Sequence, residues 1–389
     1  MNRRSFIRLA GGGVVLAAAG AGLYRYASRN IFPVPDSAIA AWKEAGQDAD
    51  PRRHVLSYAI LAPNPHNMQP WKADLGTPGE ISISLDEQRL LPETDPFGRQ
   101  ILMGLGAFLE LLSMAAATIS YRAKVTLFPN GTPGEYLDGR RVARLVLEED
   151  SGALVDPLFE QVLKRRTDRR AYDVSRRVTD SEIAALGSAA TVYDVKFGVV
   201  ADARLDAIKK IARQAWYNEL TSEGPMMESV RVLRVGTKEI NAHRDGIIID
   251  DPLVVVLEKV GLFDRSSMPA ADSQAVMAQV TEFDRITAAT PGYLWIVTEG
   301  NSRRQQVEAG SAYLRTNLAA TAINLSMHPN QQALQEFAEV AEQYAAIHNL
   351  LDAPKPRYTI QMLARIGHVQ SEAGSVHPAP RRGLSAQLS

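Results

Sequence analysis

Cysteine is absent from the 389 residues, which excludes disulfides, thiolate metal sites, iron-sulfur clusters and cysteine nucleophiles together. A surplus of one charge is missing too, with 43 Lys and Arg against 44 Asp and Glu, so nothing suggests a nucleic-acid partner. The seven histidines are scattered and form neither HExxH nor a facial ligand set. No GxSxG elbow occurs, which leaves serine-hydrolase chemistry without local support. The first apolar run, Ala10 to Leu23, covers only fourteen residues and is broken by Gly11, Gly12, Gly13, Gly20 and Gly22. It is shorter and less apolar than a membrane-spanning helix requires.

What precedes that run gives it a meaning. Arg3, Arg4 and Phe6 lead directly into it, a basic n-region before an apolar h-region, resembling a twin-arginine export signal. The alternative is a buried glycine-rich helix or a Rossmann loop, against which stands that a Rossmann fingerprint follows a strand and none can precede Gly11. Residues 1–30 are therefore expected to be a signal read by the twin-arginine export machinery, either cleaved or kept as an N-terminal membrane anchor, and the folded part is expected in the periplasm. Twin-arginine export passes folded proteins, often with a cofactor already inserted. Without Met1 to Ala27 the chain keeps 39 basic and 44 acidic residues.

About 360 residues then remain, enough for two globular units or one fused pair. Periodicity predicts a short helix near 39–46, a helix over 51–61 ended by Pro63 and Pro65, and strands at 72–75 and 81–85. Residues 98–120 read as a helix apolar nearly all round, with Gly104 and Gly106 allowing close approach, so it belongs at the centre of a fold. Strands follow at 125–129 and 142–148, and a helical stretch at 156–165. The second half predicts helices over 180–186 and 203–220, strands at 195–200 and 291–298, and a second alanine-rich helix over 305–327. Val254 to Leu257 is a short apolar run in a weak region. The tail from Glu372 has no periodicity and reads as an extended arm or disorder.

Two segments carry candidate chemistry. In Ala62-Pro63-Asn64-Pro65-His66-Asn67-Met68-Gln69-Pro70-Trp71 the prolines set an extended path, and His66, Asn67 and Gln69 offer groups that donate and accept at once, suiting the mixed edge of a heterocycle. The alternative is a capped turn with Trp71 plugging the core. In Arg165-Arg166-Thr167-Asp168-Arg169-Arg170 four guanidiniums cannot all pair with one aspartate, which points either to an anionic ligand such as a phosphate or to a solvated charged face. Arg381 and Arg382 form a similar pair in the tail, either folded over a bound phosphate or part of a loose end.

Together, APNPHNMQPW and RRTDRRAYD resemble the flavin-binding nitroreductase superfamily, most closely its signal-bearing, Acg-like members in which two units are fused. With both buried helices and the ending ARIGHV and PAPRRGLSAQL, the resemblance covers nearly everything after residue 50. It implies an α+β fold, a first unit over 50–160, a second over 161–370 and a C-terminal arm over 371–389. It also implies FMN as cofactor in one composite site, because each motif occurs once. Arg165, Arg166, Thr167 and Arg169, joined by Arg381 or Arg382, are then candidates for its phosphate and ribityl region, and His66, Asn67 and Gln69 for the loop that reaches the flavin, with Trp71 behind it. Asn64-Pro65 departs from the usual serine and a small residue, stiffening the loop or closing part of the pocket.

The activity implied is two-electron transfer through flavin to a nitroaromatic, a quinone or a similar acceptor. No catalytic side chain and no metal are assigned. Export argues for a membrane quinol or a redox protein as electron donor in place of NAD(P)H. The alternatives are a flavin-sequestering or stress-related protein, for which residues 221–275 are long enough to supply a lid, and a cofactor-free degenerate scaffold. The expected assembly is a monomer with an internal pseudo-dimer, or else a homodimer.

Overall fold

The computed structural model describes residues 34–389 except 251, 262, 371–373 and 375. The export signal expected over residues 1–30 lies outside the described residues. The architecture is α+β, with two four-stranded antiparallel sheets packed about a pair of central helices.

Helix α1 (Ala40–Glu44) is followed by α2 (Pro51–Ala59). There Asp50 accepts from Arg52 N, and Pro51 sits in the first turn, where its missing N–H is harmless. Strands β1 (Trp71–Asp74) and β2 (Glu80–Leu85) pair as a hairpin. Helix α3 (Arg99–Ala117) runs through the interior, as its all-round apolar surface predicts. It has the length and apolarity of a membrane span, yet most of it is core. Strands β3 (Tyr121–Leu127) and β4 (Arg141–Glu149) complete a sheet in the order β1-β2-β4-β3.

The second sheet repeats this path. Where 156–165 is expected to be helical there is only a 3-10 turn, Pro157–Gln161. Helix α4 (Asp180–Ala190), entered through a Thr179/Glu182 capping box, leads to β5 (Lys196–Val200). A long insertion then carries α5 (Leu205–Thr221), α6 (Glu223–Arg231), β6 (Leu233–Val235), α7 (Gly236–His243), β7 (Ile247–Ile249), α8 (Pro252–Lys259) and α9 (Gln274–Ala288). The chain resumes with β8 (Gly292–Glu299), α10 (Arg303–Ala322), β9 (Ser326–Pro329), α11 (Ala341–Leu350) and β10 (Tyr358–Gly367). The sheet order is β5-β8-β10-β9, all antiparallel. Each sheet thus has strand, strand, central helix, strand, strand in sequence, with its last strand placed between the second and third.

Two further differences from expectation have physical causes. The helix expected over 305–327 stops at Ala322, because Asn324 takes a left-handed φ of 55° and Ser326 opens an edge strand. The apolar run at 254–257 is helical, part of α8. Strand β10 escapes prediction because Thr359, Gln361 and Arg365 interrupt its apolar pattern, although it is an inner strand and all three are fully buried. Partners explain their burial: Gln361 Nε2 donates to Thr298 Oγ1 and Asn301 Oδ1.

The central helices meet backbone to backbone. A Cβ on Gly106 would stand 1.8 Å from Val307 O, and one on Gly310 would stand 1.9 Å from Met103 O. Ser311 Oγ donates to Gly106 O across the contact at 2.9 Å. Two arginines at matching first-turn positions then cross between sheets. Arg99 reaches Leu334 O, Gln361 O and Glu336 in the second half, and Arg303 reaches Phe97 O, Gly134 O and Glu135 O in the first. Helix α10 serves both cores, with Val307, Leu314 and Leu318 in the first and Ala309, Ala312 and Tyr313 in the second.

Gly310→Ala is expected to force the helices apart and to cost about 1–3 kcal/mol in urea unfolding, as overpacking does. Gly134→Ala, which meets nothing within 4 Å, should be nearly neutral. Equal stabilities would refute the close contact.

Candidate functional site

The loop between α2 and β1 is built against local preference. His66, Asn67 and Gln69 all adopt positive φ, at 47°, 54° and 50°, each costing an L-residue about 1 kcal/mol. Surrounding bonds hold it there. Asn64 Oδ1 accepts from Gln69 N at 2.8 Å, Asn67 O accepts from Gly246 N at 3.2 Å, and Met68 O accepts from Arg89 at 3.1 Å. Pro65 opens a 3-10 turn over Pro65–Asn67, so the Asn64-Pro65 pair stiffens the loop. Trp71 is wholly buried against Phe108, their rings 5.0 Å apart.

The C-terminal arm is ordered and returns to this loop. Arg381 N donates to Ala38 O, and Trp42 Nε1 donates to Ala379 O. Asn67 Nδ2 donates to Pro380 O at 3.0 Å, and Arg381 Nη1 donates to Asn67 Oδ1 at 2.6 Å. Arg382 is bound to Gln69 twice, through its backbone N to Oε1 at 2.9 Å and through Nη2 to Gln69 O at 3.0 Å. Beyond it, Leu388 bridges Ala73 on β1 and Ser389 N donates to Ala73 O, adding backbone to the sheet's outer edge.

The arginine-rich segment completes the cluster. Asp168 is taken by Arg170 in a two-pronged pair at 2.8 and 2.7 Å, leaving Arg165, Arg166 and Arg169 for other partners. Arg165 is buried and donates to Leu61 O and Asn317 Oδ1. Arg381, equally buried, also donates to Leu61 O. The guanidiniums of Arg165, Arg166 and Arg381 stand 5.8, 5.1 and 5.5 Å from the Trp42 ring centroid. No carboxylate among the described residues lies within ion-pair distance of these three or of Arg169. Burial, then the charges of Arg165 and Arg166, push Arg381 down to about 9. Burial pulls Arg165 to about 10.

Arg169 is solvent-exposed, and the protein around it lowers its pKa by desolvation. His66 is half-buried, with Nε2 3.1 Å from Ser229 Oγ of α6. Burial and then the Arg169 charge lower its pKa to about 4. His328 on β9 is held well below the usual histidine value by burial, Arg365 and Arg169. Both imidazoles are thus neutral near pH 7.

The structure therefore brings Asn67, Arg165, Arg166 and Arg381 into one cationic cluster and places His66 beside Arg169. Thr167 lies half-buried between the arginines, its hydroxyl without a hydrogen bond among the described residues. Gln69 is wholly buried, with its amide committed to Arg382 N, Arg244 O and Asn67 O, a part in holding the loop. Sequence reasoning missed Trp42, Ser229, His328 and Arg365. Only the excess of arginine over acid hinted that an aromatic face was needed.

At the topologically equivalent junction before β5, the connection is five residues long. There Tyr193 OH bonds Glu110, which also pairs with Arg315, itself held by Asp156. That junction is filled by a compensated network, whereas the one before β1 is rich in uncompensated cations.

No family model matches the chain. Over 346 residues, 87% of this chain and 91% of the relative, it is 29% identical to a Mycobacterium tuberculosis protein named "Putative NAD(P)H nitroreductase Rv3131". It is also 29% identical over 150 residues to that organism's "Putative NAD(P)H nitroreductase acg", covering 39% of this chain and 44% of that one. These relatives point to the nitroreductase-like superfamily in general. Among solved structures, the FMN- and NADPH-dependent nitroreductase NfnB of a Sphigopyxis strain aligns over 59% of this chain and 97% of its own at 17% identity, with a TM-score of 0.38.

The His66 shift has a pH consequence. Its folded pKa lies below the unfolded value near 6.5, so the stability due to neutral His66 is present above pH 6.5 and lost as pH falls toward 4. His66→Gln should show a smaller loss of urea midpoint between pH 7 and pH 4.5 than the wild type. Parallel losses would show that His66 is not held neutral.

Proposed function

We propose that this chain is an FMN-binding oxidoreductase of the nitroreductase type, with two related units fused so that one composite site forms between the His66–Gln69 loop, the Arg165–Arg169 segment and the C-terminal arm. The observation carrying the reading is the cluster of Arg165, Arg166 and Arg381 around Trp42, with Arg165 and Arg381 buried and Arg166 half-buried, without a carboxylate partner among the described residues. The ring face offsets part of the charge, on the order of 1 kcal/mol per guanidinium, and a phosphate would supply the rest. The buried Nε atoms of Arg381 and Arg382 lack hydrogen bonds, and Arg169 has no hydrogen-bond or ion-pair partner among the described residues. This donor set fits a phosphate-bearing cofactor.

In this reading Arg165, Arg166 and Arg381 would hold the phosphate, with Arg169 and Thr167 next along the cofactor. His66 and Asn67 would line its other side, and Gln69 and Arg382 fix the loop to the arm. FMN, when bound, supplies two-electron transfer to an acceptor such as a nitroaromatic or a quinone. The protein orients it, excludes water and sets the local charge. The matching strand orders and the reciprocal Arg99 and Arg303 contacts support fusion of two units within a monomer, a homodimer being the other assembly. The relatives' names suggest NAD(P)H as electron donor. If the amino terminus is the export signal it resembles, the protein would be periplasmic, and a quinol or a redox protein would be the better donor.

A specific observation favours a second reading, flavin sequestration. The 201–291 insertion seats on the site loop through Ser229 to His66, Arg244 O to Gln69 and Gly246 N to Asn67 O. Asp245 is pinned between Arg89 and Arg234. Such a cover would restrict access to the ring.

Purified protein should show the absorption bands of oxidised flavin. Bleaching by both dithionite and NADPH would support a nicotinamide-dependent enzyme, and bleaching by dithionite alone would favour another donor or the covered site. A colourless protein that takes up no added FMN would leave the cofactor-free scaffold. The paired substitution Arg166→Ala with Arg169→Ala should weaken FMN binding by roughly 100- to 10,000-fold, since charge-assisted bonds contribute about 1.5–3 kcal/mol each. Arg169→Ala removes no internal partner, so an unchanged dissociation constant in that folded variant would reject its assignment.

A further inference from the structure

Arg365 is the most buried charge that the proposed function leaves unused. It lies near the C-terminal end of β10 with no exposed surface, opposite His328 on β9 and opposite Tyr293 on β8. Side chains directly opposite across strands share a face of the sheet, so His328, Arg365 and Tyr293 form one row. Over that row runs the arginine-bearing segment. Arg365 Nη2 donates to Arg170 O at 2.7 Å, and its guanidinium stands 4.6 Å from the Tyr172 ring centroid. Asp168 N donates to Met327 O, tying the segment to the edge of β9. Arg365 is therefore a peg joining this inner strand to the loop that carries Arg165, Arg166 and Arg169.

Its charge is not neutralised where it sits. Nε and Nη1 find no hydrogen bond, and no carboxylate among the described residues lies within ion-pair distance. The nearest acid along the segment, Asp168, is taken by Arg170 and by Ser326 Oγ. Lys209 adds a further positive charge nearby, with Asp206 beside it. A buried cation without a counter-ion costs several kcal/mol, and its field is poorly screened. That field falls on His328, which is half-buried, points its Nδ1 at no partner and feels Arg169 as well.

We propose that Arg365 is an electrostatic positioning residue of the candidate site. It fixes the 168–172 segment through Arg170 O and holds a standing positive potential behind His328 that favours negative charge beside Arg169. The inference deepens the flavin reading and rests on it for the nature of the anion, but the potential itself is a property of the protein alone. Two-electron reduction adds negative charge to a flavin, and a fixed positive charge close by stabilises the reduced state.

The test uses the full chain with Arg365→Gln, which can still donate to Arg170 O but carries no charge, and Arg365→Lys, which keeps the charge. Without any flavin, NMR titration of the His328 imidazole should show it taking up its proton at higher pH in Arg365→Gln than in the wild type or Arg365→Lys. With FMN bound, the midpoint potential of Arg365→Gln should become more negative by a tenfold change in the reduction equilibrium, about 30 mV for a two-electron couple, while Arg365→Lys stays near the wild type. An unmoved His328 titration in a folded Arg365→Gln would overturn the inference whether or not FMN binds. Failure of the wild type to bind FMN would sink the flavin reading alone. Should Arg365→Gln not fold, Arg365→Lys decides: a His328 titration unchanged from the wild type supports a charge role, and a raised titration overturns it.

Discussion

The contact of two helix backbones at Gly106 and Gly310 is the constraint on which the other features depend. It sets the separation of the two sheets, because each central helix packs on its own sheet and contributes side chains to the other core. It also brings the first turn of each helix within reach of the opposite half, where Arg99 and Arg303 end on backbone carbonyls. Any side chain at either glycine would meet a carbonyl oxygen well inside van der Waals distance. The α2–β1 loop follows from the same constraint, since Asn64 and Trp71 lie against Gly104 of α3.

Charge is the second organising element. The chain is almost neutral overall, yet it gathers cations around Trp42 and leaves them without acids. Natural folds seldom keep buried, like-charged groups together unless a counter-charge belongs among them. The depressed pKa values of Arg165 and Arg381 record that unfavourable state in the protein by itself. The strained loop points the same way, because three left-handed residues in a span of four are kept by bonds from three separate parts of the chain. Conformational strain and electrostatic strain meet at one place, and the same bound anion would relieve the second.

Legibility varied with how local the signal was. Helix α3 could be read because its apolar surface is a property of its own nineteen residues. The arginine segment could be read because four cations around one aspartate are unbalanced within six residues. The docking of the arm has no local signal, since its partners Ala38, Asn67, Gln69 and Ala73 lie more than 300 positions away. Trp42 gave no sign beyond a short helix. Strand β10 reads as mixed, because the partners of Gln361 and Arg365, Thr298 for the one and Arg170 O for the other, are ones that only the fold supplies. The seating of the insertion on the loop depends likewise on Ser229, Arg244 and Gly246, none of which stands out in its own neighbourhood.

What the amino-acid sequence by itself determined was the periodic elements, the glycines that permit close helix approach, the absence of thiol chemistry and the local excess of arginine. Each follows from residue type and spacing over a few turns, where propensity and sterics act without outside help. Only the tertiary structure decided which arginines share an aromatic face, which amide holds the loop, and that one of two equivalent junctions gathers cations while the other is closed by Glu110, Arg315 and Asp156. The reason is that electrostatic balance belongs to a place in space, and such a place is assembled from segments that the chain keeps far apart.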